Sequence, residues 1–207
     1  MIHLFHGFLG KPDDLNFFQE FGPIKSYDMR SFDPEGFHAS EDDILVGYSM
    51  GGRVALRIAA RLQYKIKKVI ILSSNPHALS EEEKENRIAW EEKMKHLMLT
   101  RSSSNFLEIW NNQNIFKNDL PISNITEDEL KIWAQIFEKY RLSDQKNYLQ
   151  DLKNHPDKFS WIVGSLDEKY LNIAKTSGVK YYTIEAGHRL YQKPLALIKL
   201  IKEQHIL

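Results

Sequence analysis

The chain contains no cysteine among its 207 residues, and its formal net charge at pH 7 is zero. The absence of cysteine excludes disulfides and thiol chemistry and fits a reducing compartment. The balanced charge gives no long-range attraction to nucleic acid or to an anionic membrane. No apolar run reaches membrane-spanning length, and no secretory leader is evident at the N-terminus. We therefore expect a cytoplasmic protein that binds neither nucleic acid nor membrane, while its oligomeric state stays open.

The segment Gly47-Tyr48-Ser49-Met50-Gly51 has the pattern G-x-S-x-G. It follows the apolar residues 44–46 and precedes the helix-prone residues 52–60. A nucleophile elbow requires this order of strand, tight turn and helix, because the turn must push the serine hydroxyl out above the sheet. The small residues on either side of Ser49 permit such a turn. The pattern predicts that Ser49 is a catalytic nucleophile.

A nucleophilic serine needs a base and an acid that orients the base. In sheets with this elbow the chain order is serine, then aspartate or glutamate, then histidine. Asp167 follows the predicted strand 159–164, and His188 follows the predicted strand 180–184. Both lie at carboxyl ends of strands, where sites gather in α/β sheets. We predict a triad of Ser49, Asp167 and His188, with Glu168 as the alternative acid.

The first apolar strand runs directly into a His-Gly loop at residues 6–10. In an elbow enzyme such a loop supplies one backbone amide of an oxyanion hole, and the residue after the serine supplies the other. Here the two donors are predicted to be the amides of Phe8 and Met50. His3 and His6 are three residues apart, a spacing that places them on opposite faces of a strand. We expect no metal site, and the sequence implies no organic cofactor.

Strand patterns alternate with helix patterns along most of the chain. Strands are predicted near residues 1–6, 24–28, 43–48, 67–73, 159–164 and 180–184, and helices near 12–21, 51–63, 168–176 and 194–204. This alternation predicts an α/β fold with a mostly parallel, doubly wound sheet.

Between Ser74 and about residue 156 the pattern contains helices alone, with capping signals at Ser80 and Thr126 and a possible start at Asp144. We predict a core formed by residues 1–73 and 157–207. The inserted helical cap, residues 74–156, is expected to cover the Ser49 turn.

These motifs resemble the menaquinone-pathway branch of the α/β-hydrolase superfamily, the 2-succinyl-6-hydroxy-2,4-cyclohexadiene-1-carboxylate (SHCHC) synthases. The matching stretches are residues 6–8, 46–55, 164–167 and 186–188. The resemblance implies an α/β-hydrolase fold without the usual first two strands and with an inserted helical cap. It also implies a small anionic substrate. The residues implied to bind this substrate are Tyr48, Arg53, Arg87, Trp110 and Arg141.

Arginine suits such a role for a reason that is independent of the family, because a planar guanidinium binds a carboxylate through two parallel hydrogen bonds. The activity that the resemblance implies is a lyase that eliminates pyruvate from 2-succinyl-5-enolpyruvyl-6-hydroxy-3-cyclohexene-1-carboxylate. The alternative is a serine hydrolase for carboxylate-bearing acyl esters, such as a pimeloyl-carrier-protein methyl ester. A third reading is a non-catalytic binding module. Such relatives usually lack a triad member, whereas all three positions are filled here.

Overall fold

The computed structural model describes residues 1–207 and contains one six-stranded sheet in the order β2-β1-β3-β4-β5-β6. The strands are β1 (Ile2–Phe5), β2 (Ile24–Tyr27), β3 (Ile44–Tyr48), β4 (Lys68–Leu72), β5 (Phe159–Gly164) and β6 (Tyr181–Ile184). All neighbouring strands are parallel. The predicted parallel α/β sheet is confirmed, and each predicted strand is found within one residue of its expected bounds.

Helices cover both faces of the sheet. One face packs against α1 (Met50–Arg61) and α6 (Glu168–Thr176), and the other packs against α7 (Pro194–Glu203) and a 3₁₀ helix, Pro12–Phe21. Leu45 and Val46 of β3 are fully buried but belong to opposite hydrophobic clusters. Burial on both faces explains why these strands read as continuous apolar runs in the sequence.

Four helices follow one another between β4 and β5. They are α2 (Glu81–Thr100), α3 (Ser103–Asn111), α4 (Glu127–Lys139) and α5 (Leu149–Asn154). The capping boxes expected at Ser80 and Thr126 are present, since each side chain accepts from the amide three residues later. Phe106 and Trp133 from these helices share one hydrophobic cluster with Val54 of α1, so the segment is packed onto that face of the sheet. No helix of the chain combines the length and apolar character needed to cross a bilayer.

The helix start predicted at Asp144 is wrong, because α5 begins only at Leu149. Backbone amides before α5 donate hydrogen bonds to acceptors in other parts of the chain. The Leu142 amide donates to the buried carboxylate of Glu91 at 2.8 Å, and the Tyr148 amide donates to the Pro76 carbonyl at 2.7 Å. These tertiary bonds hold the segment in a turn, which local sequence patterns do not reveal.

Candidate active site

Ser49 lies in a strained turn between β3 and α1, with φ of 51° and ψ of −111°. The turn is tight because two glycines allow close backbone contacts. A Cβ atom on Gly51 would lie 2.0 Å from the Phe5 carbonyl oxygen, and one on Gly47 would lie 2.3 Å from the Gly51 carbonyl oxygen. The Ser49 amide donates to the Leu72 carbonyl of β4 at 2.8 Å. Strained backbone of this kind persists where surrounding structure enforces it, and it is concentrated at functional sites.

His188 lies between Ser49 and Asp167. Its Nε2 atom is 3.1 Å from the Ser49 hydroxyl oxygen, and its Nδ1 atom is 2.7 Å from Oδ2 of Asp167. An ionised carboxylate only accepts hydrogen bonds, so Nδ1 carries the proton and Nε2 is free to accept from Ser49. His188 and Asp167 are each 2% exposed. The arrangement can withdraw a proton from the serine hydroxyl.

Asp167 follows β5 and caps α6. Its Oδ1 atom accepts a hydrogen bond from the Tyr170 amide at 3.2 Å, which fixes the carboxylate beside the imidazole. The alternative acid, Glu168, extends into solvent and pairs with Lys117 at 2.7 Å. The structure therefore brings Asp167, and not Glu168, to His188.

The surroundings of His188 include a residue that the sequence did not single out. The carboxylate of Asp119, in the segment after α3, accepts hydrogen bonds from the backbone amides of His188 and Arg189 at 3.1 Å each. The rings of Phe116 and Tyr170 pack against the imidazole, with centroid distances of 5.6 and 4.6 Å. Asp119 is 69 positions away from His188 and carries no local motif, so only the fold reveals this contact.

The predicted oxyanion donors lie on either side of the Ser49 turn. Phe8 follows β1, and its backbone amide donates to no acceptor in the chain. Met50 is the first residue of α1, where an amide has no intrahelical acceptor. The backbone amides of Phe8 and Met50 are therefore both available to an external oxyanion. The side-chain ring of Phe8 packs against Trp110, Trp133 and Phe137 at centroid distances of 4.9, 5.1 and 4.9 Å.

Arg53 is a partly buried arginine on the first turn of α1, and its guanidinium has no acidic partner and no hydrogen bond. Burial, together with the positive charge of Arg87, lowers the pKa of Arg53 to about 10. Arg53 lines a cavity of about 610 Å³ between α1 and residues 139–148, whose wall does not include Ser49. An unpaired guanidinium at a cavity wall is suited to a carboxylate or phosphate ligand.

Of the three arginines implied to bind substrate, two already have acidic partners within the chain. Arg141 lines the same cavity as Arg53, but it is already paired with Glu92 at 2.5 Å and with Glu138 at 3.4 Å. Arg87 lies outside the cavity wall; it bonds Glu91 at 2.7 Å and stacks on a tryptophan ring. Glutamates on α2 and α4 thus already pair with both side chains, and the implied contact of Arg87 and Arg141 with substrate stays a prediction.

Tyr48 and Trp110 are packed side chains next to the site. Tyr48 is 5% exposed, and its ring lies 5.6 Å from that of His188 and 5.1 Å from that of Tyr191. Burial raises the pKa of Tyr48 well above its ordinary value. Trp110 is 8% exposed and packs on Phe8. Both residues shape the walls around His188 and Phe8, and their contact with substrate stays a prediction.

Comparisons with known proteins bear on the fold of the chain. A family model for the alpha/beta hydrolase fold matches residues 40–117. The chain is similar to a putative 2-succinyl-6-hydroxy-2,4-cyclohexadiene-1-carboxylate synthase of Haemophilus influenzae, with 28% identity over 163 residues, which are 70% of this chain and 62% of the relative. It is also similar to protein PHYLLO of Arabidopsis thaliana, with 25% identity over 138 residues, 63% of this chain and 8% of that protein. The chain thus spans less than two thirds of either curated relative.

Among solved structures, MenH from S. aureus superposes with a TM-score of 0.75 at 18% identity, covering 99% of this chain and 94% of that one. At this identity the superposition establishes the fold alone. Together the matches confirm the α/β-hydrolase fold and the resemblance to SHCHC synthases that the motifs indicated.

Proposed function

We propose that this chain, which has the α/β-hydrolase fold and resembles the SHCHC synthases, is a carbon–oxygen lyase of menaquinone biosynthesis. It eliminates pyruvate from 2-succinyl-5-enolpyruvyl-6-hydroxy-3-cyclohexene-1-carboxylate and gives SHCHC. One observation carries the proposal: the His188 imidazole is within hydrogen-bond distance of Ser49 at 3.1 Å and of Asp167 at 2.7 Å. The similarity to the curated relatives supports the choice of substrate.

The reaction begins when the hydroxyl proton of Ser49 passes to Nε2 of His188, while Asp167 stabilises the resulting imidazolium. The Ser49 oxygen then takes the ring proton of the substrate. Negative charge develops on the conjugated carbonyl, where the Phe8 and Met50 amides stabilise it.

The carbon–oxygen bond to the enolpyruvyl group breaks, and the leaving oxygen takes the proton held by His188. Enolpyruvate then tautomerises to pyruvate. All steps are proton transfers and one bond cleavage, so the chemistry calls for no acyl-enzyme and no redox cofactor.

Arg53 is proposed to bind a carboxylate of the substrate. Its guanidinium lacks an internal counter-charge, and an anionic ligand supplies one. The adjoining cavity of about 610 Å³ lies within the range of small-molecule sites, roughly 300–1,000 Å³. Because the wall of this cavity does not include Ser49, the charge of Arg53, and not the size of the cavity, supports a small anionic substrate near the nucleophile.

The test is pyruvate release from this substrate by the purified chain, followed by a coupled dehydrogenase assay. We expect turnover in the wild type and a loss on the order of 10³-fold or more in Ser49→Ala. The exposed Ser165, two residues before Asp167, provides a matched serine-to-alanine control that keeps its activity. If the chain releases no pyruvate but gives a burst of one product per enzyme from a chromogenic ester, it is a serine hydrolase instead.

A further inference from the structure

A set of hydrogen bonds ties residues 111–122, which follow α3, to the loop that carries His188. The Asp119 carboxylate spans two consecutive amides: Oδ2 accepts from His188 and Oδ1 accepts from Arg189, both at 3.1 Å. Gly187 allows this approach, because a Cβ atom there would lie 2.4 Å from Oδ1 of Asp119. Two bonds to adjacent amides fix the direction of the backbone at His188 and not only its position.

The side chains that follow His188 strengthen this connection. Arg189 is 2% exposed, and its guanidinium donates to the Asn111 side chain at 2.9 Å and to the Leu120 carbonyl at 2.5 Å. Gln192 exchanges two hydrogen bonds with the Leu120 backbone, both at 2.9 Å. Asp119 is therefore part of a larger contact, but it is the only member of this contact that bonds the His188 backbone.

We propose that Asp119 is a positioning residue for His188, an inference that rests on the proposed Ser49–His188–Asp167 chemistry. The imidazole must meet Ser49 on one side and Asp167 on the other, and its Cβ direction is set by the backbone that Asp119 holds. A displacement of about 1 Å at a reacting group is sufficient to cost roughly 10²-fold in rate. Asp167 fixes the ring, and Asp119 fixes the main chain from which the ring extends.

The geometry has a consequence for the helical segment between β4 and β5. Asp119 and Asn111 belong to that segment, whereas His188 and Arg189 belong to the loop that follows β6 of the sheet. Residues 111–122 cannot move away from the sheet without releasing the histidine loop. This part of the segment is thus a fixed component of the catalytic machinery.

The experiment measures covalent labelling of Ser49 by a fluorophosphonate, with the maximal rate of inactivation and the half-saturating concentration determined separately. The variants are Asp119→Ala, Asp119→Asn and, as a matched control in the same contact, Gln192→Ala. We expect Asp119→Ala to lower the maximal rate by about 10- to 100-fold with the half-saturating concentration unchanged. Asp119→Asn retains one acceptor oxygen and is expected to recover most of this loss.

Melting temperatures are measured for the same variants. Gln192→Ala loses its own two bonds to Leu120, so a purely structural role of the contact would affect it and Asp119→Ala alike. Equal labelling rates for Asp119→Ala and wild type, or equal rate losses in Asp119→Ala and Gln192→Ala, would overturn the proposal. An unlabelled wild type would overturn the proposed Ser49 chemistry and this inference with it. Normal labelling without pyruvate release would count against the lyase reaction only.

Discussion

The backbone amide of Arg53 donates to the carbonyl oxygen of Ser49 at 3.2 Å. This helical bond places Arg53 one turn after the proposed nucleophile, at the same end of α1. The position explains how one arginine adjoins the Ser49 turn and also lines the cavity beside α1. The proposed carboxylate contact of Arg53 would therefore lie one helical turn from the Ser49 backbone.

Replacing Arg53 with alanine is expected to weaken the turnover of a carboxylate substrate by roughly 2–3 kcal/mol in kcat/KM, the range for losing a charged hydrogen bond. A neutral ester that lacks the carboxylate should lose much less, because it has no group for the guanidinium to bind. The measurement is kcat/KM for both substrates with the wild type and the variant.

Arg57 provides the matched control for Arg53. It lies one turn further along α1 and lines the same cavity, but it is half-exposed and pairs with Glu35 at 2.5 Å. Arg57→Ala should change kcat/KM little for either substrate. If Arg53→Ala weakened both substrates equally, Arg53 would support the elbow instead of binding the ligand.

The identity of the acid is tested by exchanging two neighbouring carboxylates for amides. Asp167→Asn removes the acceptor that holds the Nδ1 proton of His188, so we expect fluorophosphonate labelling of Ser49 to slow on the order of 10³- to 10⁴-fold. Glu168→Gln affects only an exposed pair with Lys117 and should label at the wild-type rate. Comparable slowing in both variants would contradict the assignment of Asp167.

Local sequence signals were sufficient to predict the strands of the sheet and the turn that carries Ser49. Strands β3 and β5 are short, mostly apolar runs bounded by Ser49 and Gly164, and the capping residues Ser80 and Thr126 mark two helix starts that the structure contains. Chain order alone placed Asp167 and His188 at one edge of the sheet, because the carboxyl ends of parallel strands meet there.

The same local signals could not predict hydrogen bonds and ion pairs between residues that are distant in sequence. Nothing near Arg141 in the sequence indicates that Glu92, 49 positions away on α2, pairs with its guanidinium. Likewise, Asp119 lies in a loop without a motif, and the amide of Tyr148, within the helix predicted from Asp144, donates to the distant Pro76 carbonyl. Each case depends on a tertiary contact between elements whose relative position the sequence pattern does not specify.

The elbow glycine provides a stability prediction. Gly51→Ala places a methyl group 2.0 Å from the Phe5 carbonyl oxygen, and both atoms belong to rigid backbone. We expect a loss of about 3 kcal/mol or more in the free energy of unfolding. Gly36→Ala is the control, since its nearest neighbour would be the Asp33 carboxylate at 3.4 Å, and it should be nearly neutral. Equal denaturant midpoints for the two variants would show that the turn relaxes without cost.

His6 is expected to make stability depend on pH. Its ring is buried, with Nδ1 at 2.8 Å from the Gly7 carbonyl and Nε2 accepting from the Met29 amide at 3.0 Å. Burial lowers the pKa of His6 to about 4 from an ordinary value of 6.5. Between these values the unfolded chain binds a proton that the folded chain does not, so acidification favours unfolding. The contribution is fully present above pH 6.5 and is lost as the pH falls toward 4.

The difference between the folded and unfolded pKa of His6 sets how much stability is lost on acidification. It corresponds to about 3 kcal/mol in the free energy of unfolding between pH 7 and pH 4. Urea unfolding, followed by tryptophan fluorescence, measures it in the wild type and in His6→Gln, whose amide oxygen can still accept from Met29. The variant should be less stable at pH 7 and should lose about 3 kcal/mol less than the wild type on acidification, because every other titrating group is common to both. Parallel stability curves over this range would mean that the His6 ring is protonated in the folded chain and that its bond from the Met29 amide is not maintained at low pH.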